Sequence, residues 1–442
     1  MPLSLMIARV LRLLLAAGAL SGLVLGALWW SGKPPKETQG IWITNGYGLV
    51  FDISPVSIAI HEITPVSCIP WQTMPAHMGM VRRLAGYTFT AQGDDLSIAV
   101  ADAVGDMRAY RVDALPDQCV NGRQAGPLET FDIFWRTFET HYPNFARYGV
   151  DWDARRDEAM AALAGNFDPK HLSDVMTHAV RDLDDGDIHL MTPSGDVSPH
   201  SPAPWDKDQR ALWQVTDSYL TSERQFIETS GIRHGWLDGE IAYLGVHHME
   251  SEPPLGQTMA SQAARVVDQL GALYADAKGV IVDLRFNAGG SDTVALTYAG
   301  LFSATDWPAG SKQTQITRGY MSPATAFYGR GAQAALTAPV MVLTSSETSG
   351  AAETYVMAVG ELAQVSIMGE PTNATPSNIM VRTLPNQWQF TLPHQTYALA
   401  NGTPVTQTGI APDISYPFDV EGFSNGKDTM LEAALTRLAQ AR

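Results

Sequence analysis

Residues 279–290 read GVIVDLRFNAGG, an apolar run that continues past Asp283 and Arg285 and ends in two adjacent glycines. A strand that is apolar at consecutive positions is covered on both faces, as in the interior of a parallel sheet, so this run predicts a central strand. Gly289 and Gly290, followed by the helical pattern SDTVALTYAGLF, predict a tight strand-to-helix turn. Backbone N–H groups at such a turn point beyond the carboxyl end of the strand, where anions and oxyanions bind in open α/β sheets. A purely conformational need for glycine is the competing reading. A phosphate loop is ruled out because no Lys-Ser/Thr follows.

Working outward, strands and helices alternate. EIAYLGV, APVMVLTS and VSIMGEP read as strands, while GQTMASQAARVVDQLGALYAD and SGAAETYVMAVGEL carry helical spacing. The alternation predicts an α/β fold with a mostly parallel sheet and helices on its faces, to which IMVRTLP, WQFTLPHQTYAL and DISYPF add strands or hairpins. Upstream, ETFDIFWRTFETHY, DWDARRDEAMAALA and PKHLSDVMTHAVRDL predict a helical layer, with Asp151 and Asp168 at N-cap positions. Residues 38–115 alternate short apolar runs with turn signals such as Asn45-Gly46, which predicts a small antiparallel β domain. The expected division is a terminal segment over 1–36, a β-rich domain over 37–120, a helical layer over 121–191, an irregular linker or flap over 192–235, an α/β core over 236–420 and a C-terminal helix over 421–442.

With 442 residues, 45% of them hydrophobic, the chain can bury a sizeable core. A net charge of −17 and the lack of any Lys/Arg-rich block exclude a nucleic-acid footprint. Arg9 and Arg12 precede an apolar stretch from Leu13 to Trp30. About 18 residues make a helix of roughly 27 Å, enough to cross a membrane, and Trp29 and Trp30 suit its interface. The expectation is a membrane anchor with the bulk outside the cytoplasm, in the periplasm, or secretion after cleavage at a site such as Ala17-Gly18-Ala19. In an oxidising compartment Cys68 and Cys119 could form a disulfide; their spacing fits neither a redox motif nor a metal site.

A second strand-to-helix passage, VLTSSETSGAAETYVMAVGEL, places Ser349 at a helix start, where a serine is either a nucleophile or an N-cap. Together DLRFNAGG, GEPT, RTLPNQW and GIAPD give the stretch from 128 to 418 its likeness: it resembles the tail-specific (C-terminal-processing) serine peptidases, and especially the branch similar to interphotoreceptor retinoid-binding protein modules, which has no PDZ domain. The resemblance implies a crotonase-like ββα core, no cofactor, a peptide or protein C-terminal segment as partner, and an oxyanion hole at Gly289 and Gly290.

The departures from that pattern concern the reacting groups. The family nucleophile lies three residues before a glutamate, and the residue three before Glu353 is Gly350; Ser349 is one place early, a rotation of about 100° on a helix. Where related sequences read DDGH, this chain reads Asp184-Asp185-Gly186-Asp187, so Asp187 takes the place of the base. His189 follows two residues later, a displacement of about 6.6 Å in extended chain. The family's lysine base has no counterpart in TNATPSN, and His247 and His248 are the remaining possible bases. As strand neighbours those two point to opposite faces, and no third ligand is apparent, so no metal site is expected. The leading expectation is a peptide-binding cleft in a serine peptidase-like protein, a pseudoenzyme whose proteolysis is impaired or lost. An active serine endopeptidase using Ser349 and a nearby histidine is the alternative, and a binder of small apolar ligands is a third reading.

Overall fold

The computed structural model describes residues 32–120, 126–166, 168–406 and 408–440. The expected span at 13–30 lies outside them, and among the described residues no helix is long and apolar enough to cross a membrane. The chain divides into two compact units, the second beginning in the main at Arg123.

The first unit is a seven-stranded sheet. Strands Gly40–Thr44, Leu49–Ile53 and Ser57–Thr64 form an antiparallel meander that continues to Ser67–Pro75 at one edge. Met107–Val112, Asp95–Val100 and Tyr87–Gln92 complete the other side. Alternation is regular in Ser57–Thr64, where Ile58 and Ile60 point into a core with Trp42, Phe51 and Phe89. Cys68 and Cys119 are joined by a disulfide that closes a loop spanning 51 residues of sequence.

The second unit is built on a mixed seven-stranded sheet in the order 225–227, 232–237, 241–246, 279–283, 340–344, 365–369, 414–415. The first three strands are antiparallel and the rest run parallel. Gly279–Asp283 lies in the middle and is buried throughout, as its unbroken apolar run requires. Helices Met259–Leu273, Asp292–Ala299 and Ala351–Val359 contribute buried residues to the core on one face, and Thr429–Gln440 does so on the other. The helical layer holds Pro127–His141, Trp152–Leu163 and Pro169–Val180 around Phe134, Phe138 and Trp152. Asp151 accepts the N–H of Ala154, and Asp168 those of Lys170 and His171, so both act as N-caps.

The reading of 192–235 as an irregular linker is corrected. It contains the helix Gln209–Asp217 and the beginning of the strand Ile232–Leu237, which pairs along its length with Ile241–Val246. Arg233 and His234 break the apolar pattern of that strand and hid it; both are buried because Asp217 and the Tyr274 hydroxyl receive them.

Beyond the central strand, Arg285 is completely buried. It donates to Asp283 at 2.9 and 2.7 Å and to Asp428 at 2.8 and 2.7 Å. Burial pushes the Asp283 carboxyl up, but the guanidinium more than reverses this and leaves it below its ordinary value. Asp428 also accepts from the Thr216 hydroxyl and from the N–H of Leu431, binding two helices to the sheet. Arg285→Met leaves two buried carboxylates without their cation and is expected to lower stability by about 3–5 kcal/mol in urea unfolding. A loss below about 1 kcal/mol, the usual worth of a surface pair, would remove this network from the account.

Candidate active site

Two strand-to-helix turns meet at the carboxyl end of the central strands. In the first, Asn287 is fully buried; its Nδ2 donates to Val246 O at 3.0 Å and its Oδ1 accepts the Gly289 N–H at 2.8 Å. The Gly289 amide is therefore committed within the turn, which corrects its expected role as an oxyanion donor. The glycines are required sterically: a β carbon on Gly289 would lie 2.9 Å from Ala351 N, one on Gly290 2.5 Å from Met249 O, and both residues have positive φ.

The second turn joins strand Val340–Thr344 to helix Ala351–Val359. Thr348 Oγ1 donates to Leu284 O at 2.9 Å, Ser345 Oγ to Arg285 O at 2.5 Å and Ser349 N to Asn287 O at 3.1 Å, so this turn is hydrogen-bonded onto the first. The N-cap is Gly350, with φ 56° and ψ −128° and no side-chain cap, which corrects the expectation that Ser349 caps the helix. Ala351 N–H opens the helix and has no intrahelical acceptor, so it is the backbone donor suited to an oxyanion at this point.

Glu353, on the first turn of that helix, is fully buried. Its Oε1 accepts from Thr372 Oγ1 at 2.6 Å and Ala374 N at 2.8 Å, and its Oε2 from Thr375 N at 2.8 Å. Burial raises its pKa to about 7 against the lowering effect of these bonds. Arg147 holds the same loop from outside, donating to Ala374 O at 2.6 Å and Asn373 O at 3.0 Å.

Asp187 stands where the resemblance places a base. Its N–H donates to Asp185 Oδ1 at 3.1 Å and its carbonyl accepts from Thr391 Oγ1 at 2.6 Å. Its Oδ2 is buried with no hydrogen-bond partner among the described residues. Burial, then repulsion from Asp185 and Glu353, holds the Asp187 carboxyl well above the usual range. Asp185 is also raised by burial and accepts from the Tyr142 hydroxyl at 3.0 Å.

The candidate histidines are engaged elsewhere. His189 contacts Asp196 Oδ1 and Gly186 O, each at 3.2 Å, and not Ser349. Burial and then the Arg233 cation push His247 down to about 3; its Nε2 accepts from Arg233 Nε at 2.5 Å, and its ring lies 3.9 Å from that of Trp213. His248 covers Gly231, where any β carbon would collide with its ring. The histidine that does reach both loops was hidden in the expected linker: His200 Nδ1 lies 2.9 Å from Asp184 Oδ1, and its Nε2 3.8 Å from Glu347 Oε2. Its pKa is raised, first by Glu347 and then by Asp184. Nothing in the local sequence SPHSP signals that role. Among the described residues no cluster of His, Cys, Asp and Glu could hold a metal ion.

A mixed α/β sheet whose two glycine-bearing turns converge on a helix N-terminus is an architecture suited to acyl-transfer chemistry. Residues 240–416 match the model of Peptidase family S41. No curated protein sequence matches the chain. Among solved structures, a protein of Parabacteroides merdae ATCC 43184 described as a candidate peptidase is 23% identical, with a TM-score of 0.61 over 71% of this chain and 97% of its own. Mature CPAF is 10% identical, with a TM-score of 0.52 over 68% of this chain and 94% of its own. At these identities the likeness is one of fold.

The folded pKa of Asp187 lies above its unfolded value near 4, so the native state holds the extra proton and loses stability as pH rises above about 4. Asp187→Asn removes that loss. In urea unfolding the variant is expected to be more stable than the parent at pH 8, by about 1–3 kcal/mol, the range for an unsatisfied buried polar group, with the gain vanishing near pH 3. An equal effect at both pH values would show that Asp187 does not carry the proton.

Proposed function

We propose that the chain is a tail-specific peptidase-like protein that binds extended peptides or protein C-terminal segments without cleaving them by serine chemistry. The observation that carries this reading is Gly350: the residue that caps the helix at the expected nucleophile position has no hydroxyl, and no side chain caps the helix in its place. Among the described residues no imidazole is hydrogen-bonded to Ser349: His189, His247 and His248 face other groups, and His200 contacts Asp184 and Glu347. The same reading takes the core as crotonase-like, the chain as one of the branch without a PDZ domain, and the protein as anchored by residues 13–30 with its bulk outside the cytoplasm. Strand Ile379–Thr383 supports peptide binding: it pairs with Gln389–Pro393 on one side, follows the loop held by Glu353, and exposes Ile379 and Val381. Extended peptides recognise such an edge by strand addition.

Reaction with a serine-directed fluorophosphonate, followed by intact mass and peptide mapping, tests the loss of chemistry. The parent is expected to remain unlabelled and to cleave peptides several orders of magnitude below an ordinary peptidase rate. Labelling of Ser349, with activity abolished in Ser349→Ala, would falsify the proposal. For binding, an extended peptide with a free carboxyl terminus is expected to slow amide exchange over 379–383. Unchanged exchange there, with the peptide bound, would rule out addition at this edge.

A further inference from the structure

The first unit carries a surface that the peptide-binding reading does not use. The chain enters the described fold at Gly32, whose carbonyl accepts the Met78 N–H at 2.7 Å. A β carbon on Gly32 would lie 2.2 Å from His77 Nε2, so the entering chain packs directly against His77. From there Met78–Ala85 is one short helical stretch. Val81 turns inward, while Met80 is 42% and Leu84 74% exposed. Val56, 62% exposed, joins them through the bond from Ala76 N to Val56 O at 3.0 Å. Arg82 and Arg83 are exposed between the apolar side chains. Neither takes part in an ion pair among the described residues.

Met80 and Leu84 with two arginines on one short helical stretch, and Val56 beside it, have the composition of a membrane-surface element: apolar groups enter the acyl boundary while arginines meet phosphate. Their place in the chain identifies the occupant. Trp30, the last residue of the expected span, is two residues before Gly32, so Gly32 can lie no more than about 7 Å along the chain from that end. We propose that Val56, Met80 and Leu84, with Arg82 and Arg83, form a second membrane contact that rests on the anionic phospholipid surface beside the N-terminal span. This inference rests on the membrane-anchored part of the proposed function, and it adds an orientation: the first unit lies against the bilayer through its Met78–Ala85 corner.

The test uses the full chain in vesicles of phosphatidylcholine with or without phosphatidylglycerol. The native cysteines are bonded to each other, so Leu84→Cys offers one thiol for an environment-sensitive fluorophore. Asp95→Cys serves as control, at the far end of strand Tyr87–Gln92, roughly 20 Å away by strand rise. The label at 84 is expected to emit to the blue and to be quenched by nitroxide lipids when phosphatidylglycerol is present, with the label at 95 water-like. Arg82→Glu is expected to lower the docked fraction relative to undocked by about five-fold or more. Flotation reports the anchor separately: a chain that does not float overturns the anchored reading and this inference together. A floating chain with a water-like label at 84, or with equal quenching at 84 and 95, overturns this inference alone.

Discussion

The guanidinium of Arg285, sealed between Asp283 and Asp428, is the constraint from which the second unit is assembled. It sits where the central strand stops, so it fixes the direction in which the Asn287–Gly290 turn departs. Through Asp428 it reaches the start of the C-terminal helix and, by the Thr216 hydroxyl, the helix Gln209–Asp217. Three segments distant in sequence are thereby oriented by one cation. A charge removed from water at such expense stabilises only when its hydrogen bonds are complete, and here all the carboxylate oxygens of the two aspartates have partners.

Much of this was legible in the sequence. The apolar run 279–284 announces a doubly covered strand, and Gly289-Gly290 the turn after it. What could not be read was the set of contacts made by distant residues. The strand Ile232–Leu237 was missed because Arg233 and His234 look like surface residues until Asp217 and Tyr274 are placed beside them. The commitment of the Gly289 amide was equally hidden, since an asparagine two residues earlier can bond its own turn or face a ligand. His200 gave no signal because its partners, Asp184 and Glu347, come from loops 16 and 147 residues away in the numbering.

At the site itself the sequence named the positions, and the structure supplies their chemistry. Asp185, Asp187 and Glu353 bring three buried carboxyl groups into one region, with Arg147 bonded to the loop that Glu353 cradles. Burial favours their protonated forms, so the region tends toward neutrality by taking up protons instead of recruiting cations. A proton-bearing Asp187 is a donor where an imidazole would be an acceptor.

Gly350 connects this chemistry to the fold's own energetics. At φ 56° and ψ −128° a residue with a side chain occupies a sparsely populated region of backbone space, at a cost of about 1–3 kcal/mol, whereas glycine rests there with little strain. A serine at this point would carry that cost, so a hydroxyl here and an unstrained backbone compete.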